Sequence, residues 1–149
     1  MTAIVGIRCK DGVVVGADGS ATLGLMAHTI EHETNKKIEI IGDQVIVAGT
    51  GYLGHMQRFT AVVKHLWEAD AFQGKSDLEI GKLLGSSALQ EFHQTHVADK
   101  AMFTALVAFT ANDQPSLCEL PGRWDLISAG FSSDHLIELS TRIYHILHS

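Results

Sequence analysis

With 149 residues, 46% of them hydrophobic and 19% charged, the chain has the size and composition of one domain with a sizeable core, which excludes disordered and low-complexity classes. A net charge of −6, with no basic run longer than the pair Lys36–Lys37, argues against a nucleic-acid partner. No apolar stretch is long enough to span a bilayer, and no charged segment followed by an apolar one opens the chain, so the expectation is a soluble cytoplasmic protein without a membrane partner.

In chain order, Thr2–Cys9 is rich in Ile, Val and Ala and predicts a strand. Lys10-Asp11-Gly12 predicts a turn in which Gly12 can supply a positive φ. Val13–Ala17 predicts a second strand, and its unbroken apolar run suggests burial on both faces. Asp18-Gly19 ends it, and the polar residues 19–35 predict a loop or a short irregular hairpin. Lys37–Ile41 and Val45–Ala48 predict a strand pair joined at Gly42-Asp43, followed by a glycine-rich turn at Gly49–Gly54. From His55 the period is helical, with Met56, Phe59, Val63, Leu66 and Trp67 on one face. Ser76 and Glu79 form a capping box ahead of a second helix that carries Leu78, Leu83, Leu84, Leu89 and Phe92.

Met102–Phe109 predicts a strand, Asn112-Asp113-Gln114-Pro115 a turn, and Ser116–Glu119 the returning strand. Pro121-Gly122 breaks the run, Asp125–Ser128 predicts a short strand, and Ser132 or Asp134 caps a last helix with Leu136, Ile143 and Leu147 inward. Cys9 and Cys118 lack metal or redox spacing and read as small core residues in a reducing compartment. Strands, two helices, strands and one helix make a segregated order, which predicts a single α+β domain over residues 1–149.

Three motifs compete for the chemistry. Gly49-Thr50-Gly51-Tyr52-Leu53-Gly54 matches the glycine spacing of a dinucleotide fingerprint, between a strand and a helix. The fingerprint also needs an acidic residue at the end of a second strand about 20 positions on. Glu68 and Asp70 have that spacing but fall at a helix end, so the unit is not completed. The pairs His28/His32, His93/His96 and His145/His148 have helical spacing, yet no acid–His pattern accompanies them, and they read as solvated surface histidines rather than a metal site.

The third motif starts at Thr2. Loss of Met1 leaves Thr2 with a hydroxyl and a free α-amine on one residue. A hydroxyl is a poor nucleophile at its own pKa and needs an adjacent base. An α-amine, with a pKa of roughly 7.7–8.0 against about 10.4 for lysine, is the cheaper base near neutral pH, at about 1.4 kcal/mol per unit. Gly16-Ala17-Asp18-Gly19 closes the second strand, Lys37 heads a strand as Lys-Ile-Glu-Ile-Ile, and the partner strand ends in Ala48-Gly49.

That combination, spread over four elements from Thr2 to about Glu119, resembles the proteasome β-subunit family of N-terminal nucleophile hydrolases, and is most similar to the simple bacterial proteasome-like proteases. The resemblance implies a layered αββα sandwich. By match to the family, Thr2 is the nucleophile with its own amine in the proton relay. Lys37 is the cation whose charge lowers the pKa of that amine, with Lys36 as the alternative if the register slips by one. Asp18 pairs with Lys37, and Gly49 lends a backbone N–H to an oxyanion hole. Ser20 falls at a position lining the substrate side. The resemblance also implies a peptide or unfolded-protein substrate, a homo-oligomeric ring, an ATP-driven unfoldase as a possible partner, and no metal or organic cofactor.

The chain departs from the family in three places, the first being a segment from Leu120 to Trp124 that is shorter than the family's hairpin. The family's Gly-Ser-Gly corner here reads Ile127-Ser128-Ala129-Gly130, with Ala129 at the serine position and Ser128 or Ser132 as possible substitutes. The chain stops at Ser149, where the family continues with a further helix and strands, so the sandwich is expected to be incomplete at the C-terminal end and to expose a sheet edge. Two functions follow from the resemblance: an N-terminal threonine peptidase, or a catalytically inactive or truncated ring subunit with an assembly role. A dinucleotide-binding protein is the distant third.

Overall fold

A computed structural model describes residues 3–18, 20–23, 28–31, 37–94 and 103–120. Strand β1 (Ile4–Arg8) pairs antiparallel with β2 (Val13–Ala17), in register Ile4 with Ala17 and Arg8 with Val13. The Cys9 N–H donates to the Gly12 carbonyl at 2.7 Å across the connection. Gly12 does not adopt a positive φ, so this turn does not use the freedom anticipated for it. Residues 19–35 contain a short hairpin, β3 (Ser20–Leu23) with β4 (His28–Glu31).

The main sheet has four antiparallel strands in the order β5 (Ile38–Ile41), β6 (Val45–Gly51), β7 (Phe103–Ala111) and β8 (Gln114–Leu120). Gly42 and Asp43, at φ 56° and 57°, turn the chain between β5 and β6. Asn112 and Asp113 (φ 49° and 59°) are the two residues of the β7–β8 turn, the left-handed pair that a tight hairpin requires. The turn is therefore shorter than the sequence suggests: Gln114 pairs with Ala111 and Pro115 with Thr110. Among the described strands β8 lies at the sheet edge, where a strand tolerates a proline.

Helices α1 (Leu53–Glu68) and α2 (Asp77–Gln94) cover one face of this sheet. Helix α1 starts two residues before the predicted His55, behind an extended Tyr52 that makes no side-chain cap. Helix α2 opens on the expected capping box. The Ser76 N–H donates to Glu79 Oε2 at 2.8 Å, the Ser76 hydroxyl donates to the same oxygen at 2.7 Å, and the Glu79 N–H points back to Ser76 Oγ at 3.4 Å. These bonds hold the Glu79 carboxyl below its ordinary range.

The core joins the two layers. Phe59 and Val63 of α1 and Ile80, Leu84, Ala88 and Phe92 of α2 meet Val45, Val47, Phe103, Val107 and Leu120 of the sheet. Phe103 lies between Phe59 and Phe92, with ring centroids 5.4 and 5.5 Å away. Cys118 is buried as expected, and burial pushes its thiol up to about 12, so it is chemically inert core. Cys9 is exposed, contrary to its reading as core, because it follows β1 at the mouth of the turn.

The pair β1–β2 lies against the other face of the sheet. Gly6 makes this approach possible: a β-carbon there would come within 2.9 Å of Leu117 Cδ2 and 3.1 Å of Leu106 Cδ1. Burial of β2 on both faces is not observed. Val14 is 61% exposed, and Val5 and Ile7 of β1 share its outward face. The order is thus helices, sheet, strand pair, an α+β architecture whose remaining predicted elements, residues 121–149, lie outside the described residues.

Candidate active site

Asp18 follows the last residue of β2, and Lys37 immediately precedes β5. Both are strand-end residues, which places their side chains at the rim of two layers rather than inside either. Lys37 Nζ donates to Asp18 Oδ1 at 2.6 Å, with side-chain exposures of 13% and 29%. The same oxygen accepts the Ala3 N–H at 3.2 Å, while the Asp18 N–H donates to the Ala3 carbonyl at 3.1 Å. Asp18 therefore grips the backbone at residue 3 in both directions and the lysine at once.

The Lys37 hydrogen bond holds the Asp18 carboxyl below the ordinary aspartate range. Partial burial opposes this, and the Ala3 N–H, the Lys37 charge and the positive amino terminus of the chain add to the lowering. The carboxylate is ionised throughout the neutral range, as a charge partner must be.

Gly49 lies in β6 beside this pair. Its N–H donates to the Lys37 carbonyl at 3.1 Å, one residue beyond the β5–β6 ladder that begins at Ile38 and Ala48. A β-carbon at Gly49 would overlap the Met56 thioether, so the helix side of this residue is filled by α1. The Gly49 N–H has a partner in this arrangement, and an oxyanion would have to share or displace it.

Thr2, the predicted nucleophile, lies outside the described residues, as do Lys36, Ser128, Ala129 and Ser132. Ser20 opens β3, and its side chain also lies outside them. The structure thus brings together Asp18, Lys37 and Gly49. It adds two residues that the sequence reading did not single out for the site. Ala3 carries no side-chain signal, since only its backbone is used. Met56 was read as core, and nothing in the helical period marks it as the residue above Gly49.

The glycine run does not build a dinucleotide unit. After β6, α1 is followed by α2, and β7 returns antiparallel to β6. A nucleotide-binding unit of that kind needs a parallel crossover. Among the described residues no group of three or more His, Cys, Asp or Glu side chains could hold a metal ion. No helix among them is long and apolar enough to cross a membrane.

Two helices over an antiparallel sheet, with a second strand pair on the far face, are an arrangement this chain shares with solved ancestral β-subunits. The solved ancestral β-subunit Anbu from Yersinia bercovieri matches with a TM-score of 0.61 over 83% of this chain and 54% of that one, at 14% identity, a likeness of fold. The sequence profile of the proteasome subunit matches residues 2–136, and the chain belongs to the proteasome subunit family. It is 34% identical over 64 residues to a proteasome subunit beta of Nanoarchaeum equitans, covering 43% of this chain and 31% of that protein. It is 27% identical over 142 residues to proteasome subunit alpha 2 of Haloarcula marismortui, covering 91% of this chain and 57% of the relative. The chain thus spans about a third to three-fifths of the length of these relatives.

Proposed function

We propose that this chain is an N-terminal threonine peptidase of the proteasome type, with Thr2 as its nucleophile once Met1 is removed. The observation that carries the reading is the double grip of Asp18 on Lys37 and on Ala3, the residue bonded to Thr2. A chain start tied to a charged lysine is what an α-amine base requires: the cation disfavours the protonated amine and so lowers its pKa.

In this mechanism the Thr2 amine takes the hydroxyl proton as Oγ attacks the peptide carbonyl. Lys37 stabilises the alkoxide as it forms, and the tetrahedral oxyanion is met by a backbone N–H. Gly49 supplies that N–H by sharing it between the Lys37 carbonyl and the substrate oxygen; catalytic hydrogen bonds often tighten only once substrate is bound. The intermediate collapses to an ester on Thr2, with the proton passing from the amine to the departing peptide nitrogen. Water then attacks the ester and frees the hydroxyl. Ser20 is assigned to the substrate side by family match alone, and Ser128 only as a substitute for the family serine whose position Ala129 takes.

Removal of Met1, read from intact mass, is the first requirement, and a chain that keeps Met1 in its native host excludes this mechanism. The decisive test is covalent capture by a threonine-directed electrophile such as a peptide epoxyketone. Wild type should be labelled and Thr2→Ala should not; equal labelling of both removes Thr2 from the role.

A second reading is a ring subunit with an assembly role only. The outward apolar face of Val5, Ile7 and Val14, uncovered among the described residues, favours it. Under this reading the chain sediments as an oligomer and the electrophile labels neither form. We assign a peptide or unfolded-protein substrate, a homo-oligomeric ring and a cytoplasmic setting on family grounds, with an ATP-driven unfoldase as the partner that would feed a closed ring.

A further inference from the structure

We infer that Met56 is a positioning residue for the Asp18–Lys37 pair, acting through Gly49. The inference deepens the threonine-peptidase reading above and takes that reading as its ground.

Met56 stands on the first turn of α1, partly buried and packed against the core. Its Cγ, Sδ and Cε occupy the volume a side chain on residue 49 would need. Gly49 is buried in β6, clamped between this thioether and its strand neighbours, with Ala105 of β7 on one side. Its N–H is the donor that carries strand pairing one residue past Ile38, to the Lys37 carbonyl at 3.1 Å. Lys37 in turn places Nζ 2.6 Å from Asp18, and Asp18 holds Ala3. An unbroken line of contacts therefore runs from the helix layer through the sheet to the start of the chain.

The chemistry explains why a methionine suits the post. Its side chain is polarisable and adaptable, so it can lie flat on a glycine, and an apolar side chain of similar volume can take its place. A packed thioether fixes the height of α1 over β6 and so the position of the Gly49 peptide. Removing it frees that peptide to move toward the helix. The Lys37 carbonyl then loses a fixed partner, and the ammonium beyond it loses a fixed origin.

The full-length chain tests this as Met56→Ala, Met56→Leu, Gly49→Ala and the double variant Gly49→Ala/Met56→Ala. Three readouts are taken on each: the Asp18 carboxyl titration by NMR, the rate of labelling by a peptide epoxyketone, and the urea midpoint. Met56→Ala should move the Asp18 midpoint up toward the ordinary value of about 3.9. It should also slow labelling by about tenfold to a hundredfold, the scale set by ångström misplacements. Met56→Leu should hold both near wild type. Gly49→Ala should behave as Met56→Ala does, by pushing on the thioether, and the double variant should recover.

A fall in the urea midpoint of Met56→Ala with Asp18 titration and labelling unchanged would overturn the inference, leaving Met56 as packing alone. If Met56→Ala does not fold, Gly49→Ala decides: an unmoved Asp18 midpoint there overturns it equally. If wild type itself is not labelled, the catalytic reading fails, and the Asp18 titration still decides the positioning role.

Discussion

Lys37 and Asp18 meet at 2.6 Å although they are 19 positions apart and belong to different layers of the fold. With 13% and 29% of their side chains exposed, they form a partly sheltered pair at the rim where β2 ends and β5 begins. An ion pair open to solvent at a rim contributes modestly to stability. Its value is positional, because the same Asp18 oxygen also holds the Ala3 N–H.

The first prediction concerns the nucleophile. Thr2→Ala should lower peptide hydrolysis by on the order of a thousandfold or more, as loss of a nucleophile does in other covalent hydrolases. Thr2→Ser, which keeps a hydroxyl and an α-amine on one residue, should retain part of the rate. Steady-state hydrolysis of a fluorogenic peptide measures both, and an active Thr2→Ala would refute the assignment.

The second concerns the charge pair. Asp18→Asn keeps the shape of the side chain but removes the charge that fixes Lys37, and Lys37→Met removes the ammonium while keeping much of the stem. Each should slow electrophile labelling by on the order of a hundredfold, the scale of a lost acid–base element. Near wild-type labelling in Lys37→Met would show that Lys37 is only a strand-end ion pair.

The third is a pH dependence. The folded Asp18 carboxyl is depressed, so its contribution to stability is fully present above the unfolded value of about 3.9 and disappears as pH falls through the lower folded value. The melting-temperature gap between wild type and Asp18→Asn should therefore be constant near neutrality and shrink only in that acid window. A gap that closes at higher pH would contradict the depressed titration.

The fourth concerns the core. Phe59 is fully buried against Phe103, and Phe59→Ala should cost about 3–5 kcal/mol in urea unfolding. A loss below about 1 kcal/mol would mean that α1 does not pack on β7 as described.

The fifth is local. Ser76→Ala removes the cap of α2 and should destabilise by about 1 kcal/mol. Ser76→Asp, which keeps an acceptor for the helix N–H groups but sets a second carboxylate beside Glu79, should recover only part of that. Chemical denaturation of the three chains resolves the order.

Much of the architecture is legible because helices and hairpins carry local signals. The 3.6-residue period of Met56, Phe59, Val63 and Leu66, the Ser76–Glu79 box and the Asn112-Asp113 turn each lie within a few residues and mark their elements directly. The misread points are those where burial depends on a neighbouring layer. Val14 looks like any buried strand valine, and its 61% exposure follows from which face of β1–β2 meets the sheet. Cys9 looks apolar in context, and its exposure follows from where the turn begins.

What the amino-acid sequence determined by itself was the inventory and its order: a threonine at position 2, an acidic strand end, a lysine heading a strand, and a glycine closing its partner. Residue type and period are local properties, so a linear reading reaches them. Only the tertiary structure decided that Asp18 holds Lys37 and the Ala3 backbone together, that the Gly49 N–H is donated to Lys37, and that Met56 fills the space above Gly49. Those contacts join residues from separate layers, and their distances are set by strand register and by the height of α1 over β6, which no single segment encodes.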